Sequence, residues 1–163
     1  MAAAGVALLM SLVLSIYLNY LACSTETEPY VYVQTYNDIY RLTGPVMKMV
    51  ELNPTYYSMV GHLIRTSTYP FPWLLGDFPN VGYYEQNNSP GKMDADFLLV
   101  QGDRIAEVEK KLHESYFTAP LTIRPYQDPS KLYLNTKTFS KIIRGVAPDF
   151  VGKPEASPAA PSR

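Results

Sequence analysis

The side chains able to do chemistry are few and scattered. The 163 residues carry two histidines, His62 and His113, and a single cysteine, Cys23. A nucleophile needs a base beside it, and a zinc site needs three or four clustered nitrogen, sulfur or oxygen donors; this spacing offers neither. Asp94 and Asp96 flank Ala95 ahead of an apolar run. Paired carboxylates can run acid–base chemistry or hold a hard cation, but with no third ligand close in sequence the pair reads as a solvated turn. Glu107, Glu109 and Glu114 interleave with Lys110 and Lys111 as the mixed, solvated face of a helix. His62 falls in a strand pattern and reads as a packed or edge histidine, while His113 closes a helix, where a cation suits the dipole. There is no phosphate loop, no Gly-x-Gly-x-x-Gly and no Gly-x-Ser-x-Gly elbow. No catalytic residue, metal ligand or cofactor is expected, and the chain by itself is not expected to be an enzyme.

One stretch has the composition of a binding surface. "TYPFPWLLGDFPNVGYYE", residues 68–85, holds the only tryptophan among three prolines and several tyrosines. Each X-Pro step disfavours helical geometry before it, so Tyr69, Phe71 and Phe78 are expected to be extended. Pro72 can open a short helix, "PWLLGDF". Two readings stand side by side. In one, Trp73, Leu74, Leu75 and Phe78 dock on a sheet edge. In the other, Tyr69 and Trp73 form an aromatic platform for a sugar or lipid-linked headgroup, with Asp77 as acceptor and Asn80 nearby.

The elements that must position these residues begin with an apolar segment. Residues 1–25 contain no Lys, Arg, Asp or Glu, and "AAAGVALLMSLVLSIYLNYLAC" runs from residue 2 to 23. As a helix this reaches about 33 Å, enough to cross a hydrocarbon core of about 30 Å. A cleaved signal would begin with basic residues and have a shorter apolar core. A lipoprotein signal would put a small residue before cysteine, as Ala22-Cys23 does, but Tyr20 stands where an aliphatic residue belongs. A permanent transmembrane helix fits best, with Tyr17 and Tyr20 at one interface. Neither flank carries a nearby cation, so charge leaves the orientation open. Net charge is −1, which offers no field for nucleic acid. One cysteine permits no internal disulfide and does not fix the compartment.

After a linker at 24–29, "YVYVQT" (30–35) alternates as a strand does. Thr35 and Asp38 suggest a capping box, opening a helix to residue 52 that Gly44-Pro45 should kink or break. Strands are expected at 55–64, 80–85 and 95–101, the last buried on both faces. Residues 103–116 read as a helix capped by Asp103, with Ile105, Val108 and Leu112 on one face and a Glu107–Lys111 pair. Residues 117–126 and 130–135 read as an antiparallel strand pair, and 136–145 as a short helix ended by Gly145. The alternation predicts an α/β fold: one transmembrane helix (1–23), then a small three-layer sandwich (30–150) with a mostly parallel sheet and an antiparallel edge. Residues 151–163 should be a disordered tail.

Two segments carry a resemblance to a known family. "EPYVYVQTYNDIYRL" (28–42) and "YPFPWLLGDFPNVGYYE" (69–85) resemble the C-terminal extracytoplasmic domain of flippase-associated, protein O-mannosyltransferase-like membrane glycosyltransferases. Tyr69, Pro70, Pro72, Trp73, Leu75, Phe78, Pro79, Asn80, Val81, Gly82 and Tyr83 match that family's segment, and the likeness extends loosely over residues 1–135. The resemblance implies a multi-spanning parent that takes a sugar from a polyprenyl-phosphate carrier outside the cytoplasmic membrane. It implies a domain on the extracytoplasmic side of a single-pass anchor, with the lipid bilayer, a multi-spanning membrane protein and a polyprenyl-phosphate sugar as partners. The family's catalytic acids lie in an early loop that has no counterpart here, so no catalytic residue carries over. The expected role is therefore non-catalytic: a fragment or split subunit of a glycosyltransferase-like protein. The alternative is a single-pass accessory subunit on a large membrane complex, for which the fourteen tyrosines are suited.

Overall fold

The structure is a computed structural model that describes residues 2–22, 35–86, 88–125 and 127–153. The expected linker, all but the last residue of the strand at 30–35, and most of the expected tail lie outside those residues.

The apolar N-terminus forms helix α1 (Ala2–Ile16), extended by a π-helical turn at Tyr17–Leu21. Ala3–Leu21 is long and apolar enough to cross a membrane, and none of it is buried against the rest of the chain. At 1.5 Å per residue its 19 residues reach about 28 Å, close to a bilayer core.

The rest is an α/β fold around a mixed six-stranded sheet. Its strands are β1 (Gly61–Ile64), β2 (Val81–Tyr84), β3 (Phe97–Gln101), β4 (Ser115–Leu121), β5 (Ser130–Asn135) and β6 (Phe150–Val151), in the order β2-β1-β3-β5-β4-β6. β1 is parallel to both β2 and β3, while the remaining pairs are antiparallel. Helices α2 (Tyr40–Leu52), α3 (Phe71–Leu74) and α5 (Thr136–Phe139) cover one face, and α4 (Ile105–Glu109) covers the other. Side chains alternate across a strand, so Phe97 and Leu99 join Leu42, Val46, Met49, Phe71 and Phe139 on the first face. Leu98 and Val100 join Val108, Leu112, Tyr116 and Tyr133 on the second. Both faces are covered, and every residue of β1 and β3 is buried, as an unbroken apolar strand requires.

Several elements differ from the sequence expectation, each for an identifiable reason. Residues 54–58 form a 3-10 turn rather than the start of a strand, because Pro54 opens it and Asn53 caps it, accepting from the Thr55 N–H at 3.0 Å. Thr35 does not cap the next helix. Asp38 instead pairs with Arg41 at 3.2 Å and accepts the Thr122 N–H at 3.2 Å, fastening the helix start to the end of β4. α2 runs through Pro45 without a break; the bond that proline forfeits is to Arg41, on an exposed turn. The helix expected over 103–116 comprises only a 3-10 turn (Gly102–Arg104) and α4, and Asp103 makes no cap. Phe71, expected to be extended, is the first residue of α3. The short helix at 136 ends at Phe139, with Gly145 at φ 72° further on. Order also continues past residue 150: β6 pairs with Ser115 and Tyr116, and the Gly152 N–H donates to the Glu114 carbonyl at 2.9 Å.

Candidate functional site

The segment between β1 and β2 divides its side chains between core and solvent. After β1, Thr68 donates through both its N–H and its hydroxyl to Glu85 Oε1, at 3.3 and 3.0 Å. The chain passes a cis Tyr69–Pro70 bond and enters α3, whose Phe71 N–H donates to the Thr68 carbonyl at 3.0 Å. Phe71, Leu75 and Phe78 are buried, so the segment docks on the sheet as a packing element. Trp73, one turn away, is 80% exposed, and Tyr69 and Leu74 are exposed beside it. Docking and display therefore fall to different residues of the same short helix: alternate side chains anchor it, and Trp73 points into solvent.

Of the four candidate binding residues, two share this surface. Tyr69 lies beneath the Arg124 guanidinium, 4.7 Å from ring centroid to Cζ, a cation–π stack. Trp73 lies four residues further on, inside α3, whereas Tyr69 precedes that helix. Asp77 is exposed, and its carboxylate makes no hydrogen bond among the described residues. Asn80 belongs to the opposite edge: its Nδ2 donates to the Ser58 carbonyl at 2.8 Å, and its own carbonyl accepts from Gly61 N–H at 3.2 Å. Tyr69 follows the carboxyl end of β1 and Asn80 precedes the amino end of β2. Because these strands are parallel, the length of a four-residue strand, about 10 Å, separates them. The arrangement supports an aromatic surface at Tyr69 and Trp73, with Asn80 as a structural tie.

A second feature sits where β1 ends. The chain leaves β1 for β2 on one side and returns to β3 on the other, which in open α/β sheets opens a crevice at the carboxyl ends of the strands. Here it is a cleft of about 220 Å³ lined by Arg65, Thr66, Ser67, Gln101, Gln127 and Asp128. Arg65 is only 2% exposed. Its Nε donates to the Ser67 carbonyl at 2.7 Å, Nη2 to Gln127 Oε1 at 3.0 Å, and Nη1 to Ser130 Oγ. Gln101 accepts the Thr66 N–H at 2.8 Å and donates to Asp128 Oδ2 at 2.9 Å. Burial lowers the pKa of Arg65, Asp128 opposes that shift, and Arg124 reinforces it.

The titratable groups at the amino edge are spent on structure. A cleft of about 410 Å³ there is lined in part by His62, Asp94, Asp96, Glu114 and Lys137. Asp94 accepts the N–H groups of His113 and Glu114, each at 3.0 Å, and the Tyr116 hydroxyl at 3.0 Å; the His113 ring approaches at 3.1 Å. Asp96 accepts from the Val60 N–H at 2.8 Å and from the Thr138 hydroxyl. Glu114 accepts from Asn135 and from Lys137. His62 is buried edge-on to Tyr84, with its ring nitrogens 3.0 and 3.1 Å from the Gly61 and Lys92 carbonyls. Burial lowers its pKa against the opposing pull of those two carbonyls. Among the described residues no three His, Cys, Asp or Glu side chains are grouped to hold a metal.

The chain matches no protein-family model, no curated protein and no solved structure. Its site is therefore read from its own geometry. Sequence reasoning named Tyr69 and Trp73, both of which the structure leaves exposed, and did not single out Arg65 or Arg124. Arg65 carries a faint signal, a charge placed directly after the apolar run "GHLI"; Arg124, in "TIRPYQDPS", carries none until the fold brings the two loops together.

Proposed function

We propose that this chain is a membrane-anchored, non-catalytic binding domain that holds a lipid-linked sugar for a multi-spanning, glycosyltransferase-like partner on the extracytoplasmic side. The observation that carries the reading is the 80% exposure of Trp73 on a helix whose Phe71 and Leu75 are fully buried. A large aromatic ring open to solvent, four residues from a second exposed ring at Tyr69, is what stacking on a sugar face demands. The apolar helix over Ala3–Leu21 supplies the tether, and the likeness of residues 69–83 to the glycosyltransferase family supplies the class of ligand.

Trp73 is the only tryptophan, so its fluorescence reports directly. The full chain in neutral detergent is titrated with polyprenyl-phosphate mannose, and with sugar-free polyprenyl phosphate as the reference. The expected result is a saturable blue shift with the sugar-bearing lipid and several-fold weaker binding in Tyr69→Ala, the size of a lost aromatic contact. No shift, or an equal shift with the sugar-free lipid, overturns the sugar assignment.

One observation favours a second reading, an accessory subunit docked on a large membrane complex. Among the described residues β2 is the outermost strand on its side of the sheet, and Tyr83 on it is exposed, with its hydroxyl 3.4 Å from the Phe71 carbonyl at the start of α3. An open edge with aromatic neighbours is a template for a partner's strand. Co-purification of a stable complex in mild detergent, lost in Trp73→Ala, supports that reading.

A further inference from the structure

We propose that the carboxyl edge of the sheet, between Arg65 and Arg124, is a binding site for a phosphate group. The inference concerns an anion rather than a sugar face and shares only Tyr69 with the sugar reading.

Arg65 is a buried cation that makes no salt bridge among the described residues, although Asp128, which lines the same cleft, acts on its charge. All three of its hydrogen bonds end on neutral oxygens, those of Ser67, Gln127 and Ser130. A charge removed from water and left unpaired is among the costliest features a fold can carry. The nearest acid in the cleft, Asp128, receives the Gln101 amide at 2.9 Å. Glu85, also at this edge, is engaged by Thr68, and Asp103 lines a neighbouring cleft with Arg104. A guanidinium has five N–H groups, so the three bonds of Arg65 leave two further donors.

Arg124 adds a second unpaired guanidinium. Its side chain makes no hydrogen bond among the described residues, and its Nε is buried without a partner. Its Cζ lies 4.7 Å from the centroid of the Tyr69 ring, a cation–π contact. The segment that carries it is held by the Tyr36 N–H, which donates to the Ile123 carbonyl at 2.8 Å. Arg124 lies close enough to Arg65 for its charge to help lower the Arg65 pKa. Two guanidinium groups at the strands' carboxyl ends, Arg65 lining the cleft and Arg124 near enough to act on its charge, suit a doubly charged tetrahedral anion that accepts from both. A phosphate monoester or a diphosphate has that chemistry, whether it arrives free in solution or as a lipid headgroup.

The test uses the full chain in micelles of a neutral detergent. Inorganic phosphate and pyrophosphate are titrated by calorimetry in one arm. In the other, the micelles are doped with phosphatidic acid or with phosphatidylcholine, and the thermal midpoint is read. Saturable binding of phosphate or pyrophosphate identifies a soluble ligand; a midpoint raised by phosphatidic acid alone identifies a headgroup. Either supports the site if Arg124→Gln, verified as folded by circular dichroism, weakens the effect about tenfold, as losing a charged hydrogen bond does. Arg65→Lys, which keeps the charge and loses the fork, should weaken it similarly. No response to any of these phosphates, or a response unchanged in Arg124→Gln, overturns the proposal.

Discussion

At the scale of single residues, neighbours in sequence have opposite duties. Phe71 is fully buried in the larger core and Trp73 is largely exposed. Phe71→Ala should therefore cost about 3–5 kcal/mol, whereas Trp73→Ala should stay within about 0.5 kcal/mol. Urea unfolding of both variants checks this. Asp94 makes the corresponding polar contrast. Its burial pushes the carboxyl pKa upward, but hydrogen bonds from the Glu114 and His113 N–H groups, the His113 ring and the Tyr116 hydroxyl outweigh it and hold the pKa below its ordinary value. A depressed carboxylate contributes stability that is complete above its unfolded pKa, about 3.9, and is lost as pH falls through the folded value. Asp94→Asn should thus destabilise by about 1–3 kcal/mol near neutrality. The gap between variant and wild type should narrow below about pH 4, which thermal melts across a pH series would show.

At the scale of elements, β1 depends on a close approach. A Cβ added to Gly61 would lie 2.2 Å from Cζ of the Phe97 ring, which is fully buried between layers. Gly61→Ala should cost about 1–3 kcal/mol by overpacking, measured as a drop in the urea midpoint at unchanged m-value. β3 and β5 were legible from sequence because the signals that define them, apolar runs bounded by turn residues, are local. The pattern over 103–116 was legible only in part. Val108 and Leu112 do bury, and Lys111 does meet Glu107 at 2.6 Å. The helix nevertheless stops, because the N–H groups of His113 and Glu114, which would have continued it, donate to Asp94 from a distant loop. The same limit hid half of the candidate site. Tyr69 and Trp73 stand four residues apart in one aromatic, proline-rich stretch visible in the sequence, but Arg65 and Arg124 are brought near each other only when the segments after β1 and β4 converge at one edge of the sheet.

At the scale of the whole molecule, the two cores are closed without the N-terminal helix, since both are built from residues 39–150. Removing residues 1–22 should leave a folded domain in the aqueous fraction, while the full chain partitions with detergent; cell fractionation and circular dichroism of both forms would verify it. The order of the strands has a further consequence for synthesis. β5, among the last elements to be translated, is inserted between β3 and β4 at the centre of the sheet. Until residue 135 has left the ribosome, β3 offers an unpaired, apolar edge to its surroundings, an invitation to mispairing. Released chains truncated before residue 130 should therefore bind chaperones, and chains that extend through residue 151 should not.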